Sequence, residues 1–397
     1  MSSYESVIKK GAYVRKKRMI NLVMSISTVI IILFTITGCS EKNQVTAPSL
    51  QNSNQGTLAK HGIETKLKQF NLVSDMKIKG ARLDANLSNA WGIAVTPTGI
   101  FWISANHSGV STVYDSAGNQ KINPVTIPTV NNVSGGAPSG DVFNFTSVFK
   151  LPNGNASKFI FVGEDGIVSA WGPTAGSSAM VVADQSAQNA LYKGVDIAQS
   201  GGNYFLYAAN FKQAKVDVFD QNFALVNNMP FSDPNIPQGY APFNIKNING
   251  MLFITYAKQK GPDNMDDKKG VGHGFVDIFT TAGAFVSRFA SKGTLNSPWG
   301  ITQGFSGELV NTILIGNFGD GRINVFRASG EFIGQLKNND EKPVTIEGLW
   351  ALFTSNTISA VGNKIYFTAG PNDENNGLFG YLLDKKGDKD DDKSRND

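Results

Sequence analysis

Four polar side chains that could bind a cation follow short apolar segments at corresponding places in the chain: Asn106, Glu164, Asn210 and Asn317. Amide and carboxylate oxygens are the ligands that a hard cation such as Ca²⁺ prefers. We therefore expect these residues to be calcium ligands, with Ca²⁺ as the cofactor. The alternative is structural, because Asn at the end of a strand often caps a turn through hydrogen bonds to the backbone.

Two further residue types could add chemistry to such a site. His107 directly follows Asn106, and a histidine beside a metal-activated water can act as a general base. An exposed loop histidine is the alternative. Trp91, Trp299 and Trp350 recur at corresponding positions, where they either pack in the interior or stack on a ligand. The sequence has no Gly-x-Ser-x-Gly motif, so an esterase of that type is not indicated.

The elements that would position these residues come from a repeat of about 50 residues between 67 and 383. Repeats start near 91, 146, 194, 242, 299 and 349. The second apolar segment of each repeat is the clearest, and the six copies are FWISAN (101–106), FIFVGE (159–164), FLYAAN (205–210), LFITYA (252–257), ILIGNF (313–318) and IYFTAG (365–370).

A third segment in each repeat alternates apolar and polar residues and then meets a turn, as in KVDVF (215–219) and FVDIF (275–279). Alternation with a period of two buries one face of a strand, and the glycines that follow allow tight turns. Short strands in six in-phase copies predict an all-β fold, a six-bladed β-propeller, rather than a sandwich or two unrelated β-domains. Residues 70–74 precede the first copy, and we expect them to supply the outer strand of the last blade.

The first 38 residues differ from the rest of the chain. A basic stretch precedes an almost wholly apolar run over 19–36, and Cys39 is the single cysteine of the sequence. This order resembles the bacterial lipobox, which implies cleavage before a lipidated Cys39; a membrane-spanning anchor is the alternative. We therefore expect a bacterial cell-envelope location, with Ser40 favouring the outer membrane, and contact with the membrane through the lipid.

Domain limits and charge follow from this interpretation. We expect a lipoprotein signal at 1–38, a flexible tether at 39–66, the propeller at 67–383 and a charged, disordered tail at 384–397. The whole chain carries a formal net charge of +4, but residues 1–38 hold six basic residues against one acidic residue. The remainder is therefore nearly neutral, which argues against a nucleic-acid partner.

Four motifs carry a resemblance to a known family: WGIA (91–94), SPWG (297–300), GNFGDG (316–321) and EGLWAL (347–352). With them the chain resembles a largely uncharacterised bacterial and plant family of secreted, NHL-like six-bladed propellers. It is also similar, in fold alone, to the gluconolactonase and paraoxonase group of calcium-dependent hydrolases. That second resemblance implies calcium bound by a mixture of Asn and Glu, which agrees with the ligands expected above.

Two functions fit the sequence. The first is a binding or interaction module for a protein, a glycan or a small molecule, which needs no catalytic residues. We expect the protein to be a monomer. The second is a calcium-dependent hydrolase of the lactonase or esterase type, with its site in the propeller channel and the Asn and Glu residues as ligands. Bound calcium and a response to a chelator would distinguish the two.

Overall fold

The alternating segments of the sequence form antiparallel strands, and these strands pair in six sheets. The computed structural model describes residues 63–384. The predicted signal, the lipid site at Cys39, most of the tether and all of the tail after Asp384 lie outside the described residues. No helix within 63–384 is long and apolar enough to cross a membrane.

Each of the first five sheets is a blade of four consecutive strands. The strands of blades 1 and 2 are β3 (Ala90–Val95), β4 (Phe101–Ala105), β5 (Val110–Tyr114), β6 (Val125–Thr126), β7 (Pro138–Phe143), β8 (Phe159–Gly163), β9 (Ile167–Trp171) and β10 (Met180–Asp184). Those of blades 3 and 4 are β11 (Tyr192–Ser200), β12 (Asn203–Asn210), β13 (Lys215–Phe219), β14 (Leu225–Val226), β15 (Tyr240–Ile248), β16 (Met251–Lys258), β17 (Gly274–Thr280) and β18 (Phe285–Ser291).

Blade 5 completes this series, and blade 6 joins the two ends of the described chain. The strands of blade 5 are β19 (Pro298–Gly304), β20 (Thr312–Asn317), β21 (Ile323–Arg327) and β22 (Phe332–Gln335). Blade 6 contains β24 (Leu349–Phe353), β25 (Ile365–Ala369), β26 (Leu378–Asp384) and β1 (Lys66–Ser74), with short β2 (Arg82–Leu83) and β23 (Lys337–Asn338) paired to β1. Short 3₁₀ helices lie at Val130–Asn132, Pro173–Ala175, Ser186–Gln188 and Gly307–Leu309.

The six blades close into a ring. The innermost strands β3, β7, β11, β15, β19 and β24 contact one another in that order, and β24 contacts β3. β1 pairs antiparallel with β26, so the first described strand is the outer strand of the last blade. This confirms the six-bladed propeller and the predicted role of residues 70–74. Buried aromatic side chains fill the space between blades, as Phe101 of blade 1 does against Tyr366 and Phe379 of blade 6.

Glycines let the inner strands approach closely at the centre of the ring. A Cβ on Gly92 would lie 2.7 Å from the Ser139 carbonyl oxygen of blade 2, and one on Gly194 would lie 2.7 Å from the Asn244 Cα of blade 4. Gly300 meets the Trp350 carbonyl oxygen of blade 6 at 2.6 Å in the same way. The recurring Trp-Gly motif is therefore a steric requirement, since any side chain at the glycine would push two blades apart.

The predicted start of the second repeat near 146 is wrong, because the inner strand of blade 2 is Pro138–Phe143. The Asn144 side chain ends this strand by accepting a hydrogen bond from the Thr146 amide at 2.9 Å and donating to the Ser157 carbonyl at 3.0 Å. Residues 145–149 are thus a connection, although their composition is typical of a strand. Ile63 and Lys66, which the sequence analysis placed in the tether, belong to the packed domain.

A buried ion network holds the connection before blade 4 against that blade. Arg288 of β18 donates to Asp277 of β17 and to Asp233 of the connection, and both carboxylates are almost fully buried. The Arg288 guanidinium also lies 4.6 Å from the centroid of the Phe275 ring. Burial raises the pKa of Asp277 to about 7, with Arg288 opposing the shift and Asp233 adding to it.

This network predicts a pH-dependent stability. The folded protein holds a proton on Asp277 up to about pH 7, whereas the unfolded chain loses it near 3.8, so the free energy of unfolding falls as pH rises between these values. We expect Asp277→Asn to remove this dependence. The difference in the free energy of unfolding between the variant and the wild type should therefore change by on the order of 2 kcal/mol between pH 5 and pH 8. Urea unfolding at the two pH values measures it, and parallel pH profiles for both proteins would contradict it.

Candidate functional site

A cluster of charged and amide side chains lies at one mouth of the ring, where the inner strands begin and the second strands end. Lys193 is the second residue of β11, Asn106 directly follows β4 and Glu164 directly follows β8. The pairing of β11 with β12 is irregular between Tyr192 and Val195, and the inner strands of the other blades are irregular near the same place. Such bulges redirect side chains out of the regular pleat.

Lys193 is the centre of this mouth cluster, which also contains Asn89, Asn106, Glu164, Asp266, Asp267 and Glu374. The Lys193 side chain is only 3% exposed. Its Nζ lies 2.5 Å from Glu164 Oε1 and 4.0 Å from Asp266 Oδ1. Beneath it, the centroid of the Trp91 ring is 4.9 Å from Nζ, an arrangement that also favours a cation. Burial works to lower the pKa of Lys193, but the Glu164 carboxylate outweighs it, so the pKa lies above its ordinary value. Lys193 is therefore a permanent positive charge.

A chain of amides connects Glu164 to a second glutamate. The Asn106 side-chain amide donates to Glu164 Oε2 at 2.9 Å, and the Asn89 amide donates to Glu374 Oε2 at 3.1 Å. The two amides meet at 3.5 Å, and the Trp350 indole donates to Asn89 Oδ1 at 3.0 Å, which fixes that side chain. Burial raises the pKa of Glu374, while Lys193 opposes the shift.

The long loop between β16 and β17 supplies the remaining acidic groups. Asp266 is 68% exposed, whereas Oδ2 of Asp267 is buried and has no hydrogen-bond partner among the described residues. Burial raises the pKa of Asp267, and Lys193 is one of the charges that oppose this shift. The loop is fixed at its base, because the Gly270 amide donates to Asn296 Oδ1 at 2.6 Å and His273 Nδ1 lies 2.8 Å from the Lys268 carbonyl oxygen.

An aromatic layer closes the channel below the cluster. Trp350 stacks between Trp91 and Phe318, with both pairs of ring centroids 3.8 Å apart, and Trp299 meets Trp350 edge-on at 5.9 Å. All four rings are buried. The three tryptophans therefore pack in the interior. Of the two roles that the sequence left open, packing or stacking on a ligand, this is the first.

The structure brings together two of the four expected calcium ligands, Asn106 and Glu164. Asn210 instead donates to Asp217 Oδ2 at 2.7 Å within blade 3. Asn317 donates to the Thr294 carbonyl at 2.8 Å and to Asp320 at 3.0 Å in blade 5. Each of these two caps its own turn. Within residues 63–384, no group of three or more His, Cys, Asp or Glu side chains is arranged to hold a metal ion. His107 is exposed in the turn after β4.

Five members of the mouth cluster were missed as site residues from the sequence: Asn89, Lys193, Asp266, Asp267 and Glu374. A signal for Lys193 was present, because Lys193-Gly194 stands where other repeats have Trp91-Gly92 and Trp299-Gly300. A lysine at a position that holds tryptophan in blades 1, 5 and 6 indicates a charged residue at the channel. Glu374 and Asp267 lie on loops of irregular length, and the repeat carries no signal for them.

The fold and the mouth cluster define a six-bladed β-propeller with a charged channel mouth. The chain is similar to two uncharacterised proteins of Acanthamoeba polyphaga mimivirus. It is 34% identical to R648 over 78% of this chain and 78% of that protein, and 32% identical to L690 over 79% and 84%. The chain belongs to the family of these mimivirus proteins. No family model matches it.

Two solved structures show the same fold at low sequence identity. The α-L-arabinofuranosidase Arb93A of Fusarium graminearum is 12% identical, with a TM-score of 0.53 over 80% of this chain and 98% of that one. The soluble aldose sugar dehydrogenase of Escherichia coli is 14% identical, with a TM-score of 0.51 over 81% and 100%. At this level of identity, the likeness shows the propeller fold alone.

The viral relatives correct two expectations from the sequence. The resemblance to a bacterial and plant family of secreted propellers is wrong, because the relatives at 32–34% identity are mimivirus proteins. The predicted location in a bacterial cell envelope, as an outer-membrane lipoprotein, is contradicted by the same finding. Three of the four motifs on which the resemblance rested are explained by the inner strands, since WGIA, SPWG and EGLWAL run into or begin them, and GNFGDG spans the end of β20 and the turn after it.

Proposed function

We propose that the propeller is a binding module and that its ligand is a carbohydrate held at the mouth cluster. The observation that carries this proposal is the buried Lys193, whose ammonium offsets an otherwise acidic group of acceptors. Perturbed ionisable groups gathered at the mouth of a channel are a common mark of a ligand site. These charges come from strand ends and loops of four blades and meet at a single mouth of the ring.

The balance of charge favours a neutral ligand that donates hydrogen bonds. Four carboxylates, those of Glu164, Asp266, Asp267 and Glu374, face the ammonium of Lys193. Two of them, Asp267 and Glu374, have raised pKa values because they are buried, so they retain protons more readily than an exposed acid. The cluster is therefore rich in hydrogen-bond acceptors, and the ammonium of Lys193 offsets part of their charge. Sugar hydroxyls match such a surface, since carboxylates accept strong hydrogen bonds from them.

A glycan array tests this proposal with the full chain. We expect the wild type to bind at least one oligosaccharide, and Asp266→Asn and Glu374→Gln each to weaken that binding at least tenfold. Asp340→Asn is the matched control, because Asp340 is an exposed acid in the turn after β23, on a different blade edge from the mouth loop. An array without signal, or equal weakening by the control, would overturn the proposal.

A calcium-dependent hydrolase is a second candidate, and the meeting of Asn106 with Glu164 favours it. The ammonium of Lys193 already supplies a positive charge to Glu164 at 2.5 Å, which a calcium ion would have to displace or share. We therefore expect the melting temperature to be the same in a chelator as in millimolar CaCl₂. A rise of several degrees with calcium, lost on adding chelator, would instead support the hydrolase.

A further inference from the structure

A small cavity lies further along the inner strands than the mouth cluster, and we call it the axial cavity. Its volume is about 30 Å³, and all six inner strands line it, through Ile93, Asp141, Val195, Asn244, Ile301 and Leu352. Because every blade contributes, the cavity lies on the axis of the ring. Trp299 of the aromatic layer forms part of its wall. A cavity of this size admits one or two waters or a single ion, but no sugar.

Asp141 differs from the other residues at these positions of the inner strands. Four of the six are Ile, Val or Leu, so closure of the ring does not require a polar side chain there. The fifth, Asn244, is paired: its Oδ1 accepts from the Ile245 amide at 2.8 Å and its Nδ2 donates to the Trp299 carbonyl at 2.8 Å. Asp141 is 7% exposed, and within residues 63–384 neither of its carboxylate oxygens has a hydrogen-bond partner. The Ser104 hydroxyl nearby is unpartnered as well.

A buried carboxylate in this state is a sign of a ligand. Burial without a hydrogen bond costs free energy, because the group loses its bonds to water and gains none in return. Buried polar groups in native proteins therefore almost always have a partner, and the exceptions point to a bound water or ion. Both oxygens of Asp141 are in this position, and the side chain lines a cavity that could hold such a partner.

The nearby lysine is already paired with another acid. Lys246 Nζ lies 3.4 Å from Asp196 Oδ2, and Asp196 also accepts from the amides of Ile197 and Asn247, each at 2.8 Å. Two acids and one lysine leave a single negative charge, which falls on Asp141. Lys246 also lines the axial cavity and is 39% exposed, so this end of the cavity faces solvent and an ion can enter there.

We infer that a monovalent metal cation binds in the axial cavity, with the Asp141 carboxylate as its charged ligand. This site is separate from the mouth cluster and goes beyond the proposed function. Hard cations take oxygen ligands, and the second lone pair of Asn244 Oδ1 and water oxygens complete the set. The affinity of a divalent ion such as Ca²⁺ depends on the number of charged ligands. One carboxylate and one net charge therefore favour Na⁺ or K⁺.

Thermal melting of the full chain in different chloride salts tests this site. At one pH and equal ionic strength, we expect NaCl or KCl to raise the melting temperature by about 1–3 °C above that in N-methylglucamine chloride, whose cation is too large for the cavity. Asp141→Asn should remove this difference, because the amide carries no charge. Asp217→Asn is the matched control and should keep it, since Asp217 is 5% exposed but accepts from Tyr192 and Asn210 at 2.9 and 2.7 Å.

Each other outcome overturns the inference. Equal melting temperatures of the wild type in all three salts would mean that water or a proton serves Asp141. A difference that persists in Asp141→Asn, or that disappears in Asp217→Asn as well, would place the cation elsewhere. If Asp141→Asn does not fold, wild-type crystals soaked in thallium(I), which substitutes for K⁺, replace the variant. An anomalous peak beside Asp141 would then support the site, and the lack of one would overturn it.

Discussion

Replacement of Lys193 by methionine is expected to lower the free energy of unfolding by about 3 kcal/mol. Breaking a buried ion pair by removing one partner typically costs about 3–5 kcal/mol, because the other charge stays behind in a poorly solvated place. Glu164 keeps 24% of its side-chain exposure, so we place the effect at the low end of that range. The methionine side chain nearly preserves the volume of the lysine stem between Trp91 and Phe211, so lost packing contributes little.

Urea unfolding followed by tryptophan fluorescence measures this effect, since Trp91 lies directly below Lys193 and contacts Trp299 and Trp350. Lys121→Met is the matched control, because Lys121 pairs with Asp115 at 3.9 Å on the surface, with 46% of its side chain exposed. Exposed pairs contribute about 1 kcal/mol at most. Equal losses in the two variants would contradict the view that Lys193 neutralises the mouth cluster.

The same variant changes the charge balance of the mouth cluster. Without the ammonium, Glu164, Asp267 and Glu374 keep their oxygens but lose the charge that opposes their mutual repulsion. The pKa values of Asp267 and Glu374 should rise further, because Lys193 lowers both of them in the wild type. The charge balance of the mouth cluster therefore depends on the Lys193 ammonium, which is part of the chain itself.

The strands were predictable from the sequence because they follow local rules. Alternation in KVDVF and FVDIF gives a buried face, and the six copies of the second segment become β4, β8, β12, β16, β20 and β25. The prediction for the start of the second repeat was wrong because the side chain of Asn144 ends the inner strand early. Nothing in the apolar pattern of residues 145–149 distinguishes a strand from a connection that packs between blades.

The site was less predictable, because it depends on residues far apart in the chain. Asn106 and Glu164 were found since each ends a repeated segment, but Asn210 and Asn317 share that position and cap their own turns. The difference comes from the neighbours: Lys193 and the amide of Asn89 draw Glu164 and Asn106 together. Which strand ends meet across the ring is a property of the closed propeller and is absent from any single repeat.

The centre of the ring gives the second large expectation. Gly194→Ala should lower the free energy of unfolding by about 3 kcal/mol or more, because its Cβ would lie 2.7 Å from the Asn244 Cα of the next blade. Added atoms in a packed interior cost about 1–3 kcal/mol, and occasionally more, when only side chains must move. Here the obstacle includes backbone, because the Asn244 Cα blocks the methyl group as well as the Asn244 side chain, so two blades have to separate to admit it.

A glycine in an exposed turn shows whether the cost is steric. Gly154 has a φ of 86°, and a Cβ added to it would meet nothing within 4 Å, so Gly154→Ala should cost only about 1–2 kcal/mol, from the left-handed backbone alone. Urea unfolding of both variants gives the comparison, and an equal or larger loss at Gly154 would contradict a sterically closed ring. The mouth cluster spans blades 2, 3 and 6 through Glu164, Lys193 and Glu374. Separation of two blades should therefore also weaken ligand binding at the mouth cluster. Gly194→Ala that remains folded is therefore expected to lose ligand affinity, although no atom of Gly194 is a hydrogen-bond partner of the cluster.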